Sequence, residues 1–395
     1  MKKISFLLTH PIQYFSPLFI EIEKSNFSQF NVIYCEDTTG GYYDNEFSKN
    51  INWDFDLLNG YQYIFLKKDL ISNYFKRCNF SIINYLFKNK PDILIIHGWG
   101  YPTSLIAIIT AKILGIKIWL RAETPYIHEI KNRKVKKIFK YFFFKYIFLR
   151  LFEKFLFIGI QNKLFYNYYG IKDESRFIYT PYCVNNKKLQ ILESELAPHK
   201  IIFKQELKIN PNNFIILFSG KLIQKKRPLD LLIAFNNANI KNSTLIFLGD
   251  GNLKFILQEY INDNNINNVI FLGFKNQSEI AKYYTIADLF VLPSGVGETW
   301  GLVVNEAMNF SLPVIVSNLV GCNTDLVYNN ENGFIYEYGN TEQLSLYINE
   351  IYNNKCLQKN AKIFSKNIIN KYDYETIIKN IKFVLTEEFN CIIRS

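Results

Sequence analysis

Residues 288–323, DLFVLPSGVGETWGLVVNEAMNFSLPVIVSNLVGCN, constrain this chain more than any other stretch. An apolar run, Leu289–Leu292, ends in a loop carrying Gly295, Gly297 and Gly301. An amphipathic segment follows over Gly301–Phe310, then Pro313 and a second apolar run, Val314–Ser317. Short apolar runs bounded by turn residues read as buried strands, and the segment between them as a helix. The glycines let the backbone turn tightly and come close to something bulky. The N–H groups that open the helix, with the positive end of its dipole, make a site for phosphate. Two carboxylates bracket the turn, Glu298 in the loop and Glu306 in the helix, with seven residues between them. Helical spacing puts Val303, Ala307 and Phe310 on one apolar face with Glu306 at its edge. A half-buried carboxylate there needs partners, and hydroxyl donors would serve.

This pattern resembles the C-terminal domain of retaining GT-B glycosyltransferases of family 4. The E-x7-E motif is reproduced at Glu298 and Glu306 with the flanks EAM and LPVI and a later NGF, and the resemblance covers roughly residues 214–334. It implies that the loop amides around Gly297, Thr299, Trp300, Gly301 and Leu302 hold a donor diphosphate, that Glu298 lies near the transferred sugar, and that Glu306 binds ribose hydroxyls. Upstream, the apolar run Phe214–Phe218 leads into SGKLIQKKRPLD. Gly220 lets the chain turn there, and Lys221 and Lys226 project from the loop before a helix near Pro228, two cations well placed for a diphosphate. The family has Arg and Lys at these places, so Lys221 keeps the charge and loses the planar fork. Thr244–Leu248, ending in GDG, and Val269–Leu272, ending in GFK, are two more strands. The resemblance makes their ends the nucleobase pocket, with Phe274 and Lys275 beside the base.

An ordinary strand-to-helix turn would account for the glycines alone, but not for the cations upstream. A dinucleotide dehydrogenase is disfavoured, because the glycines are misplaced for G-x-G-x-x-G and the turn lies late in the chain. No D-x-D triad suits a metal, and the lysines and helix end supply the charge a metal would.

A chain of 395 residues defaults to two domains. The expected architecture is α/β, GT-B, with two facing Rossmann-like domains and an interdomain cleft. Residues 1–185 form the acceptor-binding domain, 186–371 the nucleotide-sugar domain, and 372–395 a helix returning to the first. The six cysteines are scattered, with no C-x-x-C pair, which suggests a reducing cytosol. The basic, briefly apolar N-terminus is interrupted by Pro11 and Gln13 and reads as a first strand and loop rather than a signal sequence.

In the N-terminal half, Ile4–Leu8 is a strand whose following loop, THPIQYF, would present His10 and Gln13 at the carboxyl end of a doubly wound sheet. His10 is either an acceptor-side or phosphate-side contact or a structural histidine. Residues 38–56, rich in Gly, Tyr and Asp, read as a mobile loop bordering the acceptor site. Asp92–Ile96 runs into HGWGYPTS, whose Trp99 is a candidate cleft residue, and Lys117–Leu120 delivers RAET. Arg121 and Glu123 are cleft candidates, or else an ion pair that holds the loop. Phe157–Ile160 and Phe177–Tyr179 are the last strands of this half.

The net charge of +11 sits almost wholly in residues 1–185, which hold 25 Lys/Arg against 15 Asp/Glu. Most of it comes from residues 131–154, KNRKVKKIFKYFFFKYIFLRLFEK, nine basic residues against the single Glu153. Read as one helix, the segment carries Phe139, Phe142, Phe143, Phe144, Ile147, Phe148, Leu151 and Phe152 on most of its faces. Core packing accounts for half of these, and the remaining apolar surface with flanking cations suits an anionic membrane interface. Nothing resembling a base-reading module accompanies the charge, so nucleic acid is not a partner.

The expected function is retaining, metal-independent transfer of a sugar from a nucleotide-sugar co-substrate, with no other cofactor, to a saccharide or lipid-linked saccharide acceptor in cell-surface polysaccharide or lipopolysaccharide synthesis. It would take place in the cytoplasm or on the inner face of the cell membrane. Another GT-B enzyme (a phosphorylase or sugar-nucleotide epimerase) and a non-catalytic nucleotide-sugar-binding scaffold are the alternatives.

Overall fold

The computed structural model describes residues 1–395 except 45–48, 52–53, 55, 69–76, 131–133 and 395; the side chains of 42, 44, 49–51, 134–137 and 388–394 are also left undescribed. The chain divides into two compact units. Unit 1 comprises residues 1–42, 55–182 and 374–395, and unit 2 comprises residues 43–54 and 183–373.

In chain order the first half runs β1 (Lys3–Leu8), α1 (Ser16–Ser25), β2 (Gln29–Tyr34), β3 (Tyr42–Asp44), β4 (Lys49–Ile51), β5 (Tyr63–Phe65), α2 (Ser81–Asn89) and β6 (Ile93–His97). It continues with α3 (Pro102–Ile113), β7 (Lys117–Arg121), α4 (Tyr126–Ile130), α5 (Lys134–Tyr146), β8 (Lys154–Phe157), α6 (Ile160–Tyr168) and β9 (Phe177–Tyr179). Seven of these strands form a parallel sheet in the order β5-β2-β1-β6-β7-β8-β9. The strands are near-continuous apolar runs because helices cover a parallel sheet on both faces. Ile82 and Leu86 of α2, Ala107, Ile108 and Ala111 of α3, Phe144 of α5 and Phe165 of α6 close one such core.

Unit 2 adds α7 (Asn186–Leu196), α8 (Lys200–Glu206), β10 (Phe214–Ser219), α9 (Pro228–Ala238), β11 (Ser243–Leu248), α10 (Lys254–Asp263), β12 (Val269–Gly273), α11 (Gln277–Ile286) and β13 (Leu289–Leu292). It ends with α12 (Leu302–Asn309), β14 (Val314–Ser317), α13 (Asn323–Leu326), β15 (Gly333–Tyr336), α14 (Thr341–Asn353) and α15 (Lys355–Ile369). Its six-stranded parallel sheet has the order β12-β11-β10-β13-β14-β15. The terminal helix α16 (Tyr374–Arg394) packs on β9 and α1 of unit 1.

Three sequence expectations need correction. The strand expected at 157–160 lies earlier, at Lys154–Phe157, and Ile160 opens α6 instead. Residues 38–56, expected as a loop, contain the paired short strands β3 and β4, and Asp54 Oδ2 accepts a hydrogen bond from Ser278 N in unit 2 (3.0 Å). Residues 131–154 are not one helix. Their first three residues lie outside the described residues, α5 ends at Tyr146, a 3-10 turn spans Phe148–Leu151, and Lys154 begins β8. Phe144, Phe148, Leu149 and Phe152 are core, while Phe139, Phe142, Phe143, Tyr146 and Ile147 are exposed. Among the described residues, no helix is long and apolar enough to cross a membrane.

Candidate active site

In the order of the second sheet, β10 lies between β11 and β13, so the chain leaves β10 toward one edge and β13 toward the other. A parallel sheet gathers ligands in the crevice beyond the carboxyl ends of two such strands. The loops after β10 and β13 carry Gly220–Lys226 and Ser294–Gly301.

The two loops are fastened to each other residue by residue. Gly295 N donates to Lys225 O (2.8 Å), Lys225 Nζ donates to Gly297 O (3.1 Å), and Lys226 Nζ pairs with Glu298 Oε2. A third loop braces the turn from the other side, with Gly321 N donating to Glu298 O and Cys322 N to Trp300 O (each 3.1 Å). Gly297 and Gly301 both have φ of +99°, which an L side chain rarely adopts. A Cβ at Gly301 would also stand 2.9 Å from Leu292 Cδ2. The first loop is held equally closely. Gly220 N donates to Leu248 O, Leu222 N donates to Asp250 O, and a Cβ on Gly249 would meet Gly220 O at 1.9 Å.

Glu298 is only 8% exposed. Burial raises its carboxyl pKa, but the charges of Lys226 and Lys225 and the Lys226 hydrogen bond outweigh that, so it titrates below the usual carboxylate range. An ionised Glu298 and a charged Lys226 therefore sit together. Lys221 is half-buried in the same loop, its carbonyl accepting from Ile223 N (3.0 Å). Glu306 is more deeply placed than its spacing suggests, at 2% exposure, because α12 is buried on nearly every side. Val304 takes the core position expected for Val303, which is half-buried. Tyr284 Oη donates to Glu306 Oε2 (2.8 Å) and Gln277 Nε2 to Oε1 (3.4 Å).

Other expected site residues serve the scaffold. The Trp300 ring is buried, with Nε1 donating to Asn305 Oδ1 (2.8 Å) and the ring packed on Tyr372, so only its backbone belongs to the loop. Trp99 packs on Phe144, Phe148 and Phe165 in the unit 1 core, which corrects its reading as a cleft residue. Lys275 is drawn to Glu279 one turn along α11 (3.0 Å). Phe274 and Thr299 are half-buried, and Gly297 is exposed at the turn. Lys225 was not singled out in the sequence, although the doubled Lys225–Lys226 was the available signal.

In unit 1, Arg121 and Glu123 do not hold each other by a direct bond. Arg121 Nη1 donates to Thr180 Oγ1 (2.8 Å) and to Thr180 O (3.1 Å), beneath the rings of Phe15 and Tyr182. Glu123 Oε1 pairs with His97 Nε2 (2.9 Å), a residue the sequence had not singled out. Burial raises the Glu123 pKa, but His97 and Arg121 more than offset it, so it too titrates low. His10 Nδ1 meets Thr9 Oγ1 (2.8 Å) and Arg77 Nη2 (3.4 Å). Burial, reinforced by Arg77 and His97 and opposed by Glu36, lowers the His10 pKa to about 4. Gln13 Oε1 is buried with no hydrogen-bond partner among the described residues. Among the described residues, no three His, Cys, Asp or Glu side chains gather to hold a metal.

A doubly wound unit whose cationic and carboxylate loops meet at its switch point is built like a GT-B domain, and known proteins resemble it. Residues 199–371 match the family model of glycosyl transferases group 1. An uncharacterised glycosyltransferase of Methanocaldococcus jannaschii is 28% identical over 46% of this chain and 46% of its own length. The alpha-monoglucosyldiacylglycerol synthase of Acholeplasma laidlawii is 30% identical over 39% of each chain. The chain thus spans about half the length of the curated relatives it matches, or somewhat more. Anabaena HepE, solved in complex with UDP and glucose, superposes with a TM-score of 0.72 at 17% identity, covering 98% of this chain and all of that one, which shows the GT-B fold.

Proposed function

We propose that the chain is a retaining glycosyltransferase that moves a sugar from a nucleotide-sugar donor to a saccharide or lipid-linked saccharide. The observation that carries this is the fastening of the Lys225–Lys226 loop onto the Gly297–Gly301 turn at the second sheet's switch point, with Glu306 one turn into α12. In this reading the donor diphosphate lies against the turn. As negative charge builds on the leaving group, Lys221, Lys226 and the amides of Gly297–Gly301 stabilise it. Glu298 orients the donor sugar, Glu306 takes the ribose hydroxyls, and the departing phosphate accepts the acceptor's proton. Fixed lysines and peptide dipoles supply the positive charge, so the reaction runs without a metal. The ion pair between Lys226 and Glu298 means that the lysine is already oriented before a ligand arrives, at no further cost in ordering.

Three observations support the finer choices. HepE was solved in complex with UDP, so UDP is the first nucleotide to test. A relative named as a glycolipid synthase, with the exposed aromatic face of α5, favours a lipid-linked acceptor and a place on the inner face of the cell membrane. The scattered cysteines agree with a cytoplasmic setting. The test is a thermal-shift panel of nucleotides and nucleotide sugars, followed by transfer from the best donor to extracted lipids in EDTA. A product with the donor's anomeric configuration is expected. Inversion, or turnover that stops in EDTA and returns with a divalent ion, would overturn the mechanism, while phosphate-dependent release or epimerisation of the donor would put a phosphorylase or epimerase in its place.

A further inference from the structure

The loops after β10 and β13 share a neighbour that lies far from both in sequence. Tyr338 stands two residues past β15; its backbone N donates to Asn318 Oδ1 (3.1 Å), and Asn318 N donates to Tyr336 O (2.8 Å). The tyrosine is thereby tied to the loop after β14. Its ring occupies the place where Gly295 would carry a side chain: a Cβ there would lie 2.5 Å from Tyr338 Cε2 and 2.9 Å from Cζ and Oη. Gly297 and Gly301 take a left-handed φ and Gly295 does not, so it is the Tyr338 ring, not the backbone, that keeps position 295 bare. The same ring faces the Arg227 guanidinium, whose Cζ is 5.4 Å from its centroid. Arg227 follows Lys226 directly and takes a left-handed φ of +52°, which side chains other than glycine's disfavour. Its Nε bond to Asp230 Oδ2 (2.8 Å) and the Tyr338 ring hold it there. Between these two contacts runs the bond that joins the loops, Gly295 N to Lys225 O (2.8 Å).

We propose that Tyr338 is a positioning residue for the donor diphosphate: its ring, wedged between Gly295 and Arg227, sets the spacing of the two loops and so aims Lys226 and the Gly297–Gly301 amides at one anion. The proposal rests on the glycosyl-transfer reading for the identity of the ligand, and all its parts belong to unit 2. Without the ring, Arg227 loses one of the two groups that hold its φ, and the lysine loop and the turn can shift apart. Stabilisation of an anion falls steeply once its donors leave their pre-set positions. The terminal phosphate feels that shift most, and the nucleobase and ribose feel it least. The wedge is the work of the ring rather than of its hydroxyl, so phenylalanine should serve in its place.

Calorimetric titration of the full chain with UDP, GDP, ADP and CDP, and with the four corresponding monophosphates, tests this. For the base that binds, Tyr338→Ala should weaken the diphosphate about tenfold and the monophosphate less than about threefold, while Tyr338→Phe keeps both. Melts without nucleotide read the wedge itself. Gly295→Ala should lower the melting temperature of the unaltered chain, and in the Tyr338→Ala background it should cost nothing further, because its methyl enters the space the ring leaves. Should Tyr338→Ala fail to fold, Tyr338→Leu takes its place in both measurements. Diphosphate and monophosphate weakened alike, a Tyr338→Phe loss as large as that of Tyr338→Ala, or a Gly295→Ala loss of the same size in both backgrounds would overturn the proposal. An unaltered chain that binds none of the diphosphates overturns the glycosyl-transfer reading and this proposal with it, whereas a bound diphosphate whose preference over the monophosphate survives Tyr338→Ala overturns this proposal alone.

Discussion

Lys226 and Glu298 come from loops after different strands, and each makes the other's burial tolerable. Removing one partner of such a pair leaves an uncompensated buried charge, so Lys226→Met should destabilise the chain by about 3 kcal/mol as read from urea unfolding. Replacing both at once, as Lys226→Met with Glu298→Leu, should recover most of that loss while nucleotide binding stays weakened. Because Glu298 titrates lower in the folded chain than in the unfolded one, its ionisation favours folding. That contribution is complete above about pH 4.5 and is lost as pH falls through the depressed folded value. His10 behaves in a related way for a different reason. An unfolded histidine takes up a proton near pH 6.5 and the folded one only near pH 4, so stability is full above 6.5 and declines toward 4, by up to about 3 kcal/mol. Unfolding of His10→Asn across the same range should lack that decline, and an unchanged pH profile would remove the neutral-histidine assignment. Among the glycines, Gly301→Ala should cost about 3 kcal/mol, combining a left-handed φ with contacts to Leu292 and Val320. Gly98→Ala, with φ of +77° and open space around it, should cost about 1 kcal/mol. Thermal melts of the two variants compare them directly.

At the scale of elements, α5 shows why composition alone misjudged the basic segment. Lys140 turns inward, where its Nζ meets the buried Glu129 of α4 (2.6 Å) and lies over the rings of Phe144 and Phe165. Tyr169 Oη, just past α6, donates to the same carboxylate (2.8 Å). A charged lysine thus faces the core while Phe139, 78% exposed, and its neighbours Phe142 and Tyr146 face outward. Burial at Glu129 fixes the helix's rotation about its axis, and that rotation presents the aromatic side. An exposed apolar face flanked by cations binds anionic lipid through area and charge together. Phe139→Asp with Phe142→Asp should abolish co-sedimentation with anionic liposomes at low salt while leaving the melting temperature nearly unchanged. Retention of binding in that double variant would remove α5 as the contact.

For the whole molecule, the strands were legible because parallel strands are apolar runs cut by glycine and proline, as at Leu289–Leu292 and Val314–Ser317, which lie where their sequence places them. The bracketing of the Gly297–Gly301 turn by carboxylates and upstream lysines was legible from spacing. What spacing cannot reveal is which groups turn toward each other. The Lys226–Glu298 pair, the bracing by Lys225, and the His97–Glu123 contact all join residues that lie far apart in sequence or on neighbouring strands. Tryptophans mislead for a related reason. Trp99 and Trp300 sit in glycine-rich loops that suggest ligand contact, yet each large ring is packed into its own unit's core. The β8 strand was displaced because Phe157–Ile160 and Lys154–Phe157 are both apolar enough to qualify, and only pairing with β7 decides between them.

The central claim is that a nucleoside diphosphate binds where the Lys225–Lys226 loop meets the Gly297–Gly301 turn. Calorimetric titration of the full chain with UDP in EDTA tests it most directly, with GDP, ADP and CDP as comparators. Saturable binding of one of these at one site per chain is predicted, reduced at least tenfold by Lys226→Met and weakened by Glu306→Ala with the fold intact. No binding of any of the four, or binding that both substitutions leave unchanged, would contradict it.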